Sequence, residues 1–310
     1  MRRNRNGTAL AILIAGLAGG ASGAESLEFV VEHLPEVAMD NRYASLPLWN
    51  SCGDGDRTCF GVNAAWSRTQ SGTLTLEGPM LGLSAAWPLG ADYQLNGFAF
   101  FDSFALSSGV ERRPLEVLFA NPPLTMPSDA EFSGLDGSAR DVGLGLSLNG
   151  SAHPRWLPAF DWSAGLLWQQ FELSDYRFDY LVTGGPDSGT TGTVDYSATY
   201  SHITPFFGAA WPRTSGVWHY APHVQLAVPL PRRGIEGRIT GPGFDLSGNT
   251  EDNGNGKHFG DPSLTIGFNV TYVPWKLTID VGGSITQALL EPHIHKGIEH
   301  NLVLSAYRDF

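Results

Sequence analysis

The chain has 310 residues, with 19 Lys and Arg against 31 Asp and Glu and a formal net charge of −12. That balance repels nucleic acid, and 38 Gly with 9 Trp suit turn-rich strands better than a helical bundle. No segment beyond the N-terminus approaches the roughly 18 uninterrupted apolar residues that a membrane helix needs, so any crossing of a bilayer falls to strands.

Arg2, Arg3 and Arg5, the apolar run from Ala9 to Leu17 and the small residues Ala21, Ser22, Gly23 and Ala24 form the pattern of a secretory signal peptide over residues 1–24. Residues 25–58 are less regular. Leu27, Phe29 and Val31 alternate until Pro35 breaks the run, which predicts a periplasmic extension or a plug packed into a larger body. Cys52 and Cys59 are the only 2 cysteines, and in an exported chain they predict a small disulfide loop. Two thiols alone do not make a zinc site, and no cofactor is expected.

From Cys59 onward the period is two. Phe60, Val62, Ala64 and Trp66 alternate with small or polar neighbours. Leu74 and Leu76 continue the pattern, Gly78 and Pro79 read as a bulge, and Leu81, Leu83, Ala85 and Trp87 resume on the opposite parity. Tyr93 to Leu106 carries Phe on both parities, so its facing is open. Val142, Leu144, Leu146 and Leu148 then alternate cleanly, as do Phe160 to Trp168, Ile203 to Trp211, Trp218 to Val228, Leu264 to Tyr272 and Leu277 to Ile285.

Backbone groups in a bilayer core have no water to bond to, so strands that cross must close on themselves. The expectation is an all-β, transmembrane, antiparallel up-and-down β-barrel of ten strands over residues 59–310, with twelve as the alternative if the N-terminal segment pairs. Its predicted lumen carries Asp141, Asp161, His202, His219, His223, Lys276 and Asp280. Trp87, Trp156, Trp211, Trp218 and Trp275 flank the short turns and predict an interfacial girdle on one side. The long connections, 109–139, 174–192, 229–261 and 288–300, fall on the other. One of them holds His293 and His295 at strand spacing with Glu299 and His300 close behind, a candidate metal or general-base group that His258 could join. Another, Pro114 to Pro127, is apolar enough to fold over the mouth.

The last segment, Asn301 to Phe310, alternates once more and stops on an aromatic residue. A terminal strand ending on Phe310 resembles the C-terminal signal of Gram-negative outer-membrane β-barrels. The resemblance implies recognition by the barrel insertion machinery, residence in the cell outer membrane, and contact with its lipid and lipopolysaccharide. A ten-stranded barrel is narrow. The expected function is a narrow channel or transport-associated barrel for small solutes; the rivals are a hydrolase or lipid-modifying enzyme at the rim, and a structural or surface-interaction barrel without transport.

Overall fold

Apolar residues alternating with small or polar ones let a strand turn one face to hydrocarbon and the other to an enclosed interior, and the chain uses that pattern throughout. The computed structural model describes residues 58–71, 74–108, 111–114, 129–185, 188–230, 233–241, 244–250, 262–286 and 297–309. The expected signal peptide, Cys52, His258, His293, His295 and Phe310 lie outside these residues. So does the 25–58 segment up to residue 57.

The strands are β1 (Cys59–Ser71), β2 (Leu74–Pro88), β3 (Tyr93–Ser108), β4 (Glu111–Pro114), β5 (Asp129–Ala152), β6 (Phe160–Val182) and β7 (Thr191–Ala210). They continue with β8 (Arg213–Ser215), β9 (Trp218–Ala227), β10 (Arg233–Gly241), β11 (Phe244–Thr250), β12 (Ser263–Tyr272), β13 (Leu277–Thr286) and β14 (Gly297–Asp309). Ten of them form a closed antiparallel ring in the order β1, β2, β3, β5, β6, β7, β9, β12, β13, β14, with β14 returning to β1 and β7 pairing β9. Among the described residues the ring holds ten strands.

The short strands are attachments. β4 pairs the outer end of β5, β8 pairs the base of β9, and the β10–β11 hairpin lies along the outer half of β7. β9 runs into β10 along the same neighbour: Val228 N donates to Pro205 O at 3.0 Å and Leu230 N to Ile203 O at 2.8 Å, with Arg233 opposite Ser201 beyond.

The ring's stagger follows from its register. From Arg68, partners lead through Glu77, Ala105 and Ser138 to Ser174 on β6. The other way round, they lead through His300, Gly283, Ile266, Val224 and Ala209 to Trp162, also on β6 and 12 residues lower. Ten strands with that stagger tilt by roughly 40° and enclose an interior that side chains nearly fill.

Several expectations change. β2 keeps one register against β1 from end to end, so Gly78 and Pro79 make no bulge. In β3 the facing is now assigned: Phe98, Phe100 and Phe104 are buried inside, while Phe101 faces out. The described parts of the long connections are largely sheet, since β5, β6 and β7 run 24, 23 and 20 residues and extend well past the membrane. A polar outer face beyond the lipid border did not show in the apolar alternation, which is why those ends read as loops.

Candidate functional site

The outer surface carries large apolar side chains in a continuous belt, among them Leu81, Leu83, Phe101, Leu144, Leu146, Phe207, Ile266, Phe268 and Val281, all exposed. Only lipid can cover such a band around a closed sheet. Its periplasmic border is marked by Trp87, Trp156, Trp211, Trp218 and Trp275, which stand at or beside the short connections between β2 and β3, β5 and β6, β7 and β9, and β12 and β13. Trp156 is 81% exposed and Trp275 76%, as rings at a headgroup level should be.

On four outward faces the apolar run gives way to polar or charged residues: Arg68 follows Trp66, Glu77 follows Pro79, Arg140 follows Val142, and Gln170 and Glu172 follow Trp168. Arg68 Nε stands 3.8 Å from Glu77 Oε2 across the β1–β2 pair. Trp66 and Trp168 therefore belong to a second aromatic girdle. The signal was present, since in both strands a Trp is followed at the next same-face position by a polar residue.

Inside, the side chains are layered. One level falls by about 1.2 residues per strand in a barrel of this stagger, and this places Asp102 (β3), Asp141 (β5), Gln169 (β6), His202 (β7), Ser263 (β12) and Ser284 (β13) in one ring at the height of the outer border. Asp102 and Asp141 are direct cross-strand partners. Gln169 Nε2 donates to Asp141 Oδ2 at 2.7 Å, and Gln169 is in turn opposite His202. All six are buried; Asp102, Gln169 and Ser263 have 0% exposure.

Above the ring lies an apolar vault of Phe104, Leu106, Ala139, Phe171, Leu173 and Tyr200, with the Phe171 and Tyr200 rings 5.0 Å apart and the Tyr200 ring 6.1 Å from His202. Higher still, outside the membrane, Tyr180 is buried under the sheet, which raises its phenol above the usual range. On the outer face of the same wall Arg177 Nε donates to Asp195 Oδ1 at 2.6 Å, and that hydrogen bond, then the carboxylate's charge, raises the guanidinium further.

Below the ring is a neck of Met80, Phe98, Phe100, Leu167 and Phe206. It closes because Gly143 and Gly145 on β5 leave room for the Phe100 and Phe98 rings; a methyl group at either glycine would sit inside the ring it faces. The lower lumen is polar, with Asn63, Asn96, Ser147, Ser163, Gln225, Asn269, Thr271 and Thr278. There His223 Nε2 and Asp280 Oδ2 are 2.7 Å apart. They reach each other across β12, because Gly267 opposite His223 has no side chain to block the imidazole.

Of the seven lumen candidates, Asp141, His202, His223 and Asp280 are buried. Asp161 and His219 have the lumen parity but sit at the periplasmic mouth, Asp161 exposed and accepting from Ser151 Oγ at 2.6 Å. Lys276 is not on a strand: it closes the 3-10 turn Val273–Trp275 with φ 49°, its N–H donating to Val273 O. Gln169 shares the polar parity of Asp161 and Ser163, whereas Asp102 is not among the sequence candidates because Phe occupies both parities of its strand. Cys59 is buried at the foot of β1 beside Ala86. His300 has its backbone in β14, opposite Arg68 and Gly283. Among the described residues no three His, Cys, Asp or Glu side chains gather as metal ligands.

No protein-family model and no curated protein sequence matches the chain. Solved structures similar to it include the translocator domain of the autotransporter NalP from Neisseria meningitidis (10% identity, 86% of this chain and 94% of that one, TM-score 0.38). The outer membrane protease OmpT from Escherichia coli is another (10% identity, 83% and 97%, TM-score 0.42). A third is the Pseudomonas putida toluene transporter TodX (10% identity, 87% and 94%, TM-score 0.35). What places this chain is its own construction. With a closed ring of ten antiparallel strands, an apolar belt between two aromatic borders and long strand extensions on one side only, it is an outer-membrane β-barrel.

Proposed function

We propose that the protein is a narrow, normally closed passage for small solutes. The observation that carries this reading is the ring of Asp102, Asp141, Gln169 and His202, buried between the vault and the neck. Ionisable groups inside a membrane-spanning structure are expensive, and a barrel that served only as a scaffold could fill that level with apolar side chains. Placed between the vault and the neck, the ring acts as a polar station. The Phe98 and Phe100 rings below it act as the constriction. Solutes pass when vault and neck side chains rotate, which makes the passage selective rather than wide. A hydrolytic site at the rim has no comparable support, because the described carboxylates and imidazoles of the lumen stand below the vault.

The test is conductance in planar bilayers, paired with solute flux into proteoliposomes. The native protein should show flux of small solutes without large, steady ionic steps. Phe98→Ala with Phe100→Ala, which empties the neck, should raise conductance by about tenfold or more, since the barrier there is steric. A purely structural barrel would give neither native flux nor a new conductance in the neck variant.

A further inference from the structure

Resting on the passage just described, we infer that solutes cross the neck along one polar wall, and that this wall selects uncharged planar solutes bearing an amide. What carries the inference is a file of hydrogen-bonding side chains that faces the aromatic rings of the neck.

The neck is two-sided. Thr265 pairs with Ser284, and that row runs on through Glu299, Thr69 and Leu76 to Leu106 on β3. Five strands are half the ring and carry half of its 12-residue stagger, so the residue level with Thr265 on the opposite wall is six below Leu106, which is Phe100. The ring of Phe100 lies over Gly143, that of Phe98 over Gly145 and that of Phe206 over Gly165, each so close that a methyl group on the glycine would overlap it. No ring covers Gly282, on the side of Thr265. The nearest atoms to a methyl group there are Ile266 O at 3.4 Å, Gly267 Cα at 3.6 Å and Asp280 Oδ1 at 3.8 Å. Aromatic rings hold one side of the constriction, and small or polar residues the other.

The polar side has bonding capacity to spare. Ser163, Gly208, Gln225, Thr265 and Ser284 are successive cross-strand partners on β6, β7, β9, β12 and β13. In a tilted barrel such a row climbs as it goes round, here from the polar base past the level of Phe100 to the ring above. Gly208 puts no side chain between Ser163 and Gln225. Along this wall Ser163 Oγ, Gln225 Nε2 and Oε1 and, one inward position above Thr265, Ser263 Oγ make no hydrogen bond within the protein. Ser163 is 3% exposed, Gln225 1% and Ser263 0%. Buried polar groups normally have partners, so these atoms are open to a solute that passes them. Gln225, at the foot of the neck, sets the preference. Its carboxamide offers a donor and an acceptor side by side, and another amide presents the same two groups in reverse.

The neck also disfavours ions. Among the described residues, no ionisable side chain stands with Gln225, Thr265 and Phe100, so an ion would shed its water there without a counter-charge. Below them His223 Nε2 and Asp280 Oδ2 are bonded to each other at 2.7 Å. The rings of Phe98 and Phe100 accept a flat apolar face. A planar amide uses both walls at once.

The experiment measures influx of labelled nicotinamide, nicotinate and 3-(aminomethyl)pyridine into proteoliposomes at neutral pH, with influx into protein-free vesicles subtracted. The three share one ring and differ in a single substituent: an amide, a carboxylate or an ammonium. Nicotinamide should enter about tenfold or more faster than either charged analogue. Gln225→Leu keeps the bulk of the side chain and removes its amide, so nicotinamide influx should fall by about tenfold. The variant's urea midpoint in micelles should not fall, because the two unpartnered groups leave with the amide. Equal influx of the three solutes, nicotinamide influx unchanged by Gln225→Leu, or a lowered midpoint marking Gln225 as a structural residue would each overturn the inference. The comparison among solutes uses the native protein, so it decides even where Gln225→Leu does not fold. Faster influx of a charged analogue would sink this inference and leave the passage intact; absence of influx for every small solute would remove both.

Discussion

At Gly145 the sequence shows a missing side chain and the structure shows why it is missing: the Phe98 ring lies over that position from the neighbouring strand. Gly143 and Phe100 repeat the arrangement one step up. These joints convert a flexible glycine strand into a wall backed by aromatic rings, and they set the bore of the neck. Gly145→Ala should destabilise the folded barrel by about 1–3 kcal/mol through overpacking, read from urea unfolding in micelles. Phe98→Leu should tolerate the added methyl group far better than Phe98 does. A double-mutant cycle returning additive effects for the two positions would show that the ring and the glycine are not coupled. From the sequence, the glycines of the 142–148 segment were legible as one face of a strand. Their partners were not, because Phe98, Phe100, Phe101 and Phe104 occupy both parities of β3 and only the register against β5 says which ring meets which glycine.

Three strands meet in the His223–Asp280 contact, which ties β9 to β13 over the gap left by Gly267 on β12. Removing one partner strands the other in a buried, low-dielectric place. His223→Ala should therefore destabilise by about 3–5 kcal/mol, whereas replacing both residues with Leu should recover most of that loss. Equal destabilisation by the single and double variants in chemical unfolding would argue that the contact contributes nothing beyond packing. Both residues were legible as inward-facing from the alternation of Val224 with His223 and of Ile279 with Asp280. Their meeting was not, since it joins strands that are not neighbours in the sheet. The ends of the strands are illegible in the sequence for a related reason. At Arg140, Glu172 and Ser201 the outward face becomes polar while the backbone pairing continues, so the periodic signal fades before the strand does. Val228 to Leu230 hides the same continuity, since Val228 and Leu230 still donate to β7 in a segment that reads as a loop.

On the scale of the whole molecule, strand number, stagger and layering determine what the barrel can admit. Ten strands with a 12-residue stagger leave a bore that side chains fill, and the chain fills it unevenly: apolar vault, ionisable ring, aromatic neck, polar base. The strand number and the membrane-facing parity were legible because each transmembrane segment repeats the same period and the short turns with their Trp residues fall on one side. The layering was not, because a level of the barrel gathers residues from six or more strands whose relative heights depend on register. All of it rests on the outward parity touching lipid. The most direct measurement places single cysteines, each bearing a fluorophore, at every position from Val142 to Leu148 in a background lacking Cys52 and Cys59, with the barrel reconstituted in bilayers that contain a quencher on the acyl chains. Strong quenching at positions 142, 144, 146 and 148 and weak quenching at 143, 145 and 147 is the predicted result; uniform quenching, or none at any of the seven positions, would contradict the membrane-spanning barrel and every conclusion about its lumen.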